Sequence, residues 1–293
     1  MPVFFQPPTA RIDPIGRLET IGDVLAAFEK TIDWAERSQT PIGYFAVIYR
    51  QATLAIHQAI EAGDCFEHDE WMRTFQLTFA RRYFEALDLY NGHDGGVLFP
   101  FRSLLWQKAF HSETPDDPII FQHLLTALNA HMNLDLGVAA VQAARAHELP
   151  IEPLRSDFDL VNAVLGSQVD AVLDVVEQVS PRIKTIRRWL FGADVEIFEW
   201  LIIQFRDMAW AFALRCAAQP DMDPAIERCD LNYLRLTEQY LYPPPVADDC
   251  VRQIAAEESR DVVGNIAALR AVRPPQWETV VDYRAKLDAL TSA

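Results

Sequence analysis

His131 and Asp135 stand four residues apart in a stretch that is otherwise almost free of charge. Between Asp117 and Arg145, Asp135 is the one formally charged side chain. A carboxylate beside an imidazole can orient the ring and stabilise its charged form while the ring moves a proton. On a helix the i,i+4 spacing brings two such side chains into contact. A buried carboxylate without a partner costs several kcal/mol or takes up a proton, so Asp135 needs a partner, and His131 is the nearest candidate. Asn129 and Asn133, also four apart, lie on the other flank and offer amide donors to a substrate or to neighbouring backbone. The same four residues equally suit a satisfied polar core that locks helices in register.

Other segments carry polar residues that interrupt apolar faces. Arg50, Thr53 and His57 share one helical face; Arg81, Arg82 and Glu85 fall between Phe79 and Leu87; Arg206 and Asp207 fall between Ile203 and Trp210. The expectation is that these faces converge on His131 and Asp135. Arg50 and Arg206 would then anchor an anion or carbonyl, with Thr53, His57 and Glu85 completing the substrate-binding set.

Metal and cofactor templates fare worse. A His and an Asp four apart can share one ion, but His123 is about 12 Å along the helix from His131 and cannot join it. No ExxH or HExxH occurs, so no metal is expected; His131, Asp135 and Glu85 would be the ligands of one. No Walker loop, GxGxxG or GxSxG is present, and no cofactor is expected. The Asp-rich motifs of diphosphate-ionising cyclases are also missing: Asp116-Asp117 runs into Pro118, Asp248-Asp249 lacks a third acid, and Leu234 stands between Asp230 and Glu238. Cys65 has His68 nearby, in an acidic setting that raises a thiol pKa.

These residues are positioned by a chain that reads as helical from end to end. Helical patterns cover about 19–37, the stretch from Pro41 to Gly63, 69–90, 101–110, 157–179, 181–191, 195–218, 224–241, 247–269 and 277–290. The central apolar helix, about 117–147, has Asp116-Asp117 as cap and Pro118 at its first position, and stops before Pro150. At 100° per residue Phe121, Leu125, Leu128, Met132, Leu136 and Ala139 form one stripe along it. His93 to Gly96 reads as a loop, residues 1–18 as irregular, and Pro243-Pro244-Pro245 as a short linker-like cluster. The fold expected is all-α: one domain of 293 residues, a multi-helix bundle around that helix.

Half of the residues are hydrophobic and the net charge is -16, which excludes global disorder and opposes binding to nucleic acid or anionic lipid. Lys184 to Arg188 is a basic cluster too small to reverse that sign. Four cysteines without CxxC spacing suit reduced thiols in a cytoplasmic protein, and the first residues lack the pattern of a signal peptide. The Trp200–Ala218 segment, broken by Gln204, Arg206 and Asp207, suits a core helix over a membrane span. The expected partner is a small apolar or amphipathic molecule, with a homodimer left open and neither nucleic acid nor membrane.

The run NAHMNLDL (Asn129–Leu136), preceded by YRQAT (Tyr49–Thr53) and FARRYFEAL (Phe79–Leu87), resembles a mainly bacterial domain-of-unknown-function family with an NAHINxDL-type signature. The likeness spans roughly Tyr44 to Ala144. It implies an all-α fold and signature positions at Asn129, His131, Asn133 and Asp135; it implies no reaction. Taken with the residues, it supports three readings in this order: a small-molecule enzyme (isomerase, cyclase or lyase) using His131 as proton carrier and Asp135 as its orienting carboxylate; a non-catalytic ligand- or partner-binding protein with a structural polar core; and a metal-dependent enzyme.

Overall fold

The computed structural model describes residues 10–63, 65–93, 103–111, 118–184, 196–273, 280–282 and 285. Among them there are helices and no strands, as the helical punctuation predicts. The helices are α1 (Ile21–Ser38), α2 (Ile42–Ala62), α3 (Asp69–Tyr90), α4 (Leu104–His111), α5 (Ile120–Ala130), α6 (Leu136–Ala146), α7 (Arg155–Val179), α8 (Glu196–Ala217), α9 (Asp223–Leu241), α10 (Pro245–Ala255) and α11 (Val262–Arg270). Between α5 and α6, His131–Asp135 forms a single π-helical turn.

Local chemistry sets many of these ends. Thr20 and Asp23 make a reciprocal capping box at α1, the Thr20 hydroxyl accepting from the Asp23 amide and the Asp23 carboxylate from the Thr20 amide. Gly63, at φ 80°, takes the left-handed conformation that closes α2.

Other helix starts are capped across the fold. Asp157 of α7 accepts the Glu67 and His68 amides at the entrance to α3. Asp230 of α9 accepts the Ser103 hydroxyl and the Leu104 and Leu105 amides at the start of α4. Glu258 accepts the Ile120 amide at the start of α5 and the Ser180 hydroxyl. Each carboxylate satisfies amides that no intrahelical carbonyl can reach and meets the positive end of the helix dipole.

The α5–π–α6 rod is the centre. α5 packs against α2, α4 and α9; α6 packs against α3 and α8; the π-turn touches α3, α8 and α9. Ile120–Ala146 is long and apolar enough to cross a membrane, but 89% of its most apolar window is buried inside the protein, as in a core helix. Buried apolar side chains from Ile12 to Val280 form one contiguous cluster around it.

Several sequence expectations change. The central helix begins at Ile120, not at Pro118, and Gln122 supplies its cap by accepting the Ile119 amide. The expected stripe fails in its first half: Leu128 is 40% exposed, and α5 buries Leu124 and Ala127 instead. The single helix over 247–269 is two, α10 and α11, parted at 256–261, and Pro245 opens α10 where a linker was expected. The Asp116-Asp117 cap, the Gly95-Gly96 loop, most of the Lys184–Arg188 cluster and most of the 277–290 helix lie outside the described residues.

At Gly137, two residues past Asp135, α6 lies directly against the backbone of α8. A Cβ there would sit 2.7 Å from the Ala209 carbonyl oxygen and 3.1 Å from Phe212. Backbone cannot swing aside as a long side chain can, so the two helices would have to part. Gly137→Ala should lower unfolding free energy by about 1–3 kcal/mol in urea titration; unchanged stability would show that the α6–α8 contact is loose.

Candidate functional site

The π-turn puts the four polar residues of the NAHMNLD run onto different neighbours. Its defining bond runs from the Leu136 amide to the His131 carbonyl, one residue wider than an α-turn, and such single turns recur at functional sites. On one side the Asn129 amide donates to the Tyr233 carbonyl at 3.0 Å and to the Thr237 hydroxyl at 2.8 Å, both on α9. Asn133 donates to the Asn129 carbonyl oxygen at 2.7 Å, and the Cys229 thiol donates to the Asn133 backbone carbonyl. These residues pin the turn to α9.

Asp135 faces the opposite way. Arg82 Nε of α3 donates to one carboxylate oxygen at 2.7 Å, and Trp106 Nε1 of α4 donates to the other at 2.6 Å. Asp135 is 1% exposed. Burial pushes its carboxyl above the usual range, against the opposing pull of Arg82 and Trp106. The expected His131–Asp135 pair therefore does not form: both carboxylate oxygens are taken by N–H donors from other helices, one of them a cation.

His131 turns instead into aromatic side chains. Its ring stacks on Phe79 at 3.7 Å and 10°, with Tyr49 edge-on at 4.1 Å and Phe45 at 5.4 Å. Burial, and then the Arg82 charge, hold its pKa well below the usual 6.5, so the imidazole is neutral at pH 7. Its Nδ1 is buried without a hydrogen-bond partner among the described residues. Two neighbouring phenols share that condition: the hydroxyls of Tyr49 and Tyr83 are buried and unpartnered. Burial raises the Tyr83 pKa; burial and then the charges of Asp135 and Tyr83 raise that of Tyr49, so both remain protonated donors. The arrangement is a packed aromatic cluster that contains unpaired polar atoms and adjoins a paired carboxylate.

The wider convergence expected from the sequence is partial. Arg82 reaches Asp135. Glu85, one turn on, lies in the field of Arg82 and Asp135, and burial pushes its carboxyl up to about 7. Arg50 does not join them; it pairs with Glu29 on α1 at 2.6 Å. Arg206 pairs with Asp159 on α7 at 3.2 Å, and Asp207 with Arg155. Those arginines are consumed in helix–helix ion pairs and leave no anchor at His131. Thr53 and His57 lie on the same face of α2 as Tyr49, farther along the helix. His131, Asp135 and Glu85 do not assemble as a metal set; among the described residues no group of three or more His, Cys, Asp or Glu could hold an ion.

Sequence reasoning missed the aromatic half of the site. Tyr49, Phe79 and Tyr83 stand within the two segments preceding the signature run, where they read as ordinary core positions. Trp106 carried no signal at all: a Trp in a short apolar helix is core until a carboxylate is seen against its N–H.

Fold and site together define an all-α protein with a buried aromatic cluster and unpaired polar atoms at a π-turn in its central helix. The chain belongs to a family of unknown function (DUF5995), whose model matches residues 21–243, from α1 through α9, with every residue of the aromatic cluster inside that span. That span is wider than the Tyr44–Ala144 likeness read from the sequence. No curated protein and no solved structure matches the chain.

Two measurements probe the electrostatics. Asp135→Asn strands Arg82 as a buried unpaired cation and should lower stability by about 3–5 kcal/mol in chemical denaturation; a loss below about 1 kcal/mol would mean that Arg82 finds solvent. The second concerns pH. Glu85 has a folded pKa of about 7 against an ordinary 4.5, so its contribution is full below about 4.5 and lost as pH rises through about 7. The Glu85→Gln variant should gain stability relative to wild type on going from pH 4.5 to pH 8. A pH-independent difference between the two proteins would refute the shifted carboxyl.

Proposed function

We propose that the protein binds a small, uncharged molecule at the aromatic cluster between α2, α3 and the π-turn, with Tyr49, Tyr83 and His131 supplying hydrogen bonds to it. One observation carries this: three buried polar atoms, on rings in contact in the series His131, Tyr49, Tyr83, have no protein partners, near a carboxylate that accepts from two N–H donors. Buried polar groups in native proteins are paired in the great majority of cases, and exceptions ask for a role. An apolar enclosure with a few convergent polar groups is the general form of a small-molecule site. Phe45, Phe79 and the tyrosine rings suit a mostly apolar ligand body, and the phenol donors suit an oxygen on it. A charged ligand is disfavoured, because Arg82 and Asp135 already neutralise each other and an extra buried charge would be uncompensated. Cys216, Cys229 and Cys250 are free thiols, in keeping with a cytoplasmic protein.

A proton-transfer enzyme of the isomerase, cyclase or lyase kind is the second reading, favoured by the neutral state of His131. A neutral imidazole offers one nitrogen as proton acceptor at pH 7, and two protonated phenols beside it could stabilise charge developing on a substrate oxygen. Asp135 would then act at one remove, as a positioning residue that holds the turn through Arg82 and Trp106.

The test needs no knowledge of the ligand. Tyr49→Phe, Tyr83→Phe and His131→Phe keep an aromatic ring and delete an unpaired polar atom. Each should leave stability unchanged or raise it, by up to about 1–3 kcal/mol, because a buried unsatisfied group carries a penalty of that size. Thermal-shift screening with small neutral carbonyl and hydroxyl compounds should then stabilise wild type and not His131→Phe. If all three variants lose more than about 1 kcal/mol, the atoms are paired in the folded protein and the site reading is wrong.

A further inference from the structure

Residues 10–19 precede the first helix as a strap with no regular secondary structure, tied to α1 and α3. Six side chains hold it, each through a bond to its main chain. Asn91 accepts the Ile12 amide at 3.2 Å, and His93 Nε2 donates to the Ile12 carbonyl at 2.6 Å. Asp88 accepts the Ile15 amide at 2.9 Å and the Gly16 amide at 3.4 Å. From α1, Lys30 donates to the Pro14 carbonyl at 2.8 Å and Trp34 Nε1 to the Ala10 carbonyl at 3.0 Å. Arg81 of α3 closes the other end, its Nε donating to the Leu18 carbonyl at 2.7 Å. Of the strap's own residues only Ile12 and Leu18 are buried. A segment with so few buried apolar contacts opens at lower cost than the helices beneath it.

Arg81 has a second acceptor within its reach. Glu85 lies four residues on along α3, the spacing at which arginine and glutamate side chains meet. No ion pair joins Glu85 to either neighbouring arginine among the described residues, because Arg81 is drawn to the Leu18 carbonyl and Arg82 to Asp135. Glu85 is therefore a half-buried carboxyl beside two cations that are both engaged elsewhere. Burial pushes it up to about 7 against the pull of Arg82 and Arg81, and the charges of Asp135 and Asp88 add to the rise. On the helices packed against α3, Lys30 of α1 is committed to Pro14, Arg50 of α2 to Glu29, Lys108 of α4 to the Tyr242 ring and Arg145 of α6 to the end of α8. On the strap itself Arg17 pairs with Glu19.

We propose that Arg81 and Glu85 form a pH-sensitive catch on the strap: with Glu85 protonated, Arg81 stays on the Leu18 carbonyl, and with Glu85 ionised, the carboxylate draws Arg81 away and the strap opens more often. The closed strap therefore prevails below about pH 7, and opening increases as pH rises through that value. Opening releases the Asn91 and Asp88 side chains from the strap's amides. The one species exchanged with solvent is the Glu85 proton. The catch is independent of ligand binding at the aromatic cluster.

Trypsin reads the opening. The Arg17 side chain is 82% exposed, but the next residue, Leu18, is buried, so the bond between them enters a protease only when the strap lifts. Cleavage then follows the population of the open form. Release of the peptide ending at Arg17 is followed by mass spectrometry on the full chain, as the ratio of wild type to Glu85→Gln. The protease's own pH dependence and the contribution of His93 cancel in that ratio. It should be near one at about pH 5.5 and about two- to fivefold at about pH 8. A ratio that stays near one, or falls, overturns the proposal. Arg81→Gln lacks the catch, so adding Glu85→Gln to it should give one ratio at both pH values; a pH-dependent ratio there means that Glu85 acts by another route and equally overturns it. Hydrogen exchange of the Ile15 and Gly16 amides decides without any substitution. In the wild-type protein their protection, corrected for intrinsic rate, must fall as pH rises through about 7; constant protection sinks the idea.

Discussion

A carboxylate with 1% of its surface exposed is the constraint around which this protein is arranged. Asp135 sits in the middle of the central helix, far from water, where an isolated negative charge costs several kcal/mol. Three elements answer that cost. α3 brings Arg82, α4 brings Trp106, and the helix itself widens by one residue so that the carboxylate meets both. None of the three could be moved without stranding a polar group. The position of α4 is fixed twice over, since its own first amides are held by Asp230 from α9. A short helix of eight residues, weak by itself, is thereby tied twice within its first turn.

The widened turn has consequences on its other flank. With Asp135 committed to α3 and α4, Asn129 and Asn133 are committed to α9 through Tyr233, Thr237 and the Cys229 thiol. Burial raises the pKa of that thiol to about 12, so it remains a donor and does not compete as a nucleophile. Gly137 then lets α6 come against the backbone of α8 directly past the turn. The central rod is held on all sides by specific polar contacts, and only afterwards by the apolar packing that supplies most of the stability. That order matters for function, because polar contacts choose one register where apolar contacts tolerate several.

Much of this was legible in the residues. The near-absence of charge from 118 to 144 marked the central helix, and the lone Asp135 within it marked the place where something had to pair. Arg82 could be named as a neighbour, since it interrupts an apolar face between Phe79 and Leu87. What the sequence could not convey was direction. An i,i+4 pair on an ideal helix makes His131 the natural partner of Asp135, and nothing in the composition of NAHMNLD announces a π-turn. Periodicity fails there for a physical reason: one extra residue per turn breaks the 100° rule by which faces are assigned, and the rule had also misplaced Leu128 on a buried stripe. The arginines show a second limit. Arg50 and Arg206 interrupt apolar faces just as Arg82 does, but their carboxylate partners, Glu29 and Asp159, lie on α1 and α7. Spacing along one helix says which residues share a face and not which helix that face will meet.

The contrast between Asp135 and its neighbours is what supports the ligand-binding proposal. A core that served structure alone would pair its costly groups and have no need of unpaired inexpensive ones, because a buried phenol can be replaced by phenylalanine. Here the costly group is paired with care, whereas Tyr49, Tyr83 and His131 keep polar atoms that no protein group meets. Tyr49 and Tyr83 could lose the hydroxyl without losing the ring or its contact with Phe45, and His131 could be replaced by an aromatic hydrocarbon ring against Phe45 and Phe79. Retaining the polar atoms lowers the stability of the folded chain unless something else enters to meet them. Sites that bind or transform a ligand carry this kind of local penalty, since their polar groups are arranged for a partner from outside the chain. On the ligand-binding proposal, Asp135 and Arg82 belong to the frame of the site, and the three aromatic residues with unmet polar atoms belong to its working surface.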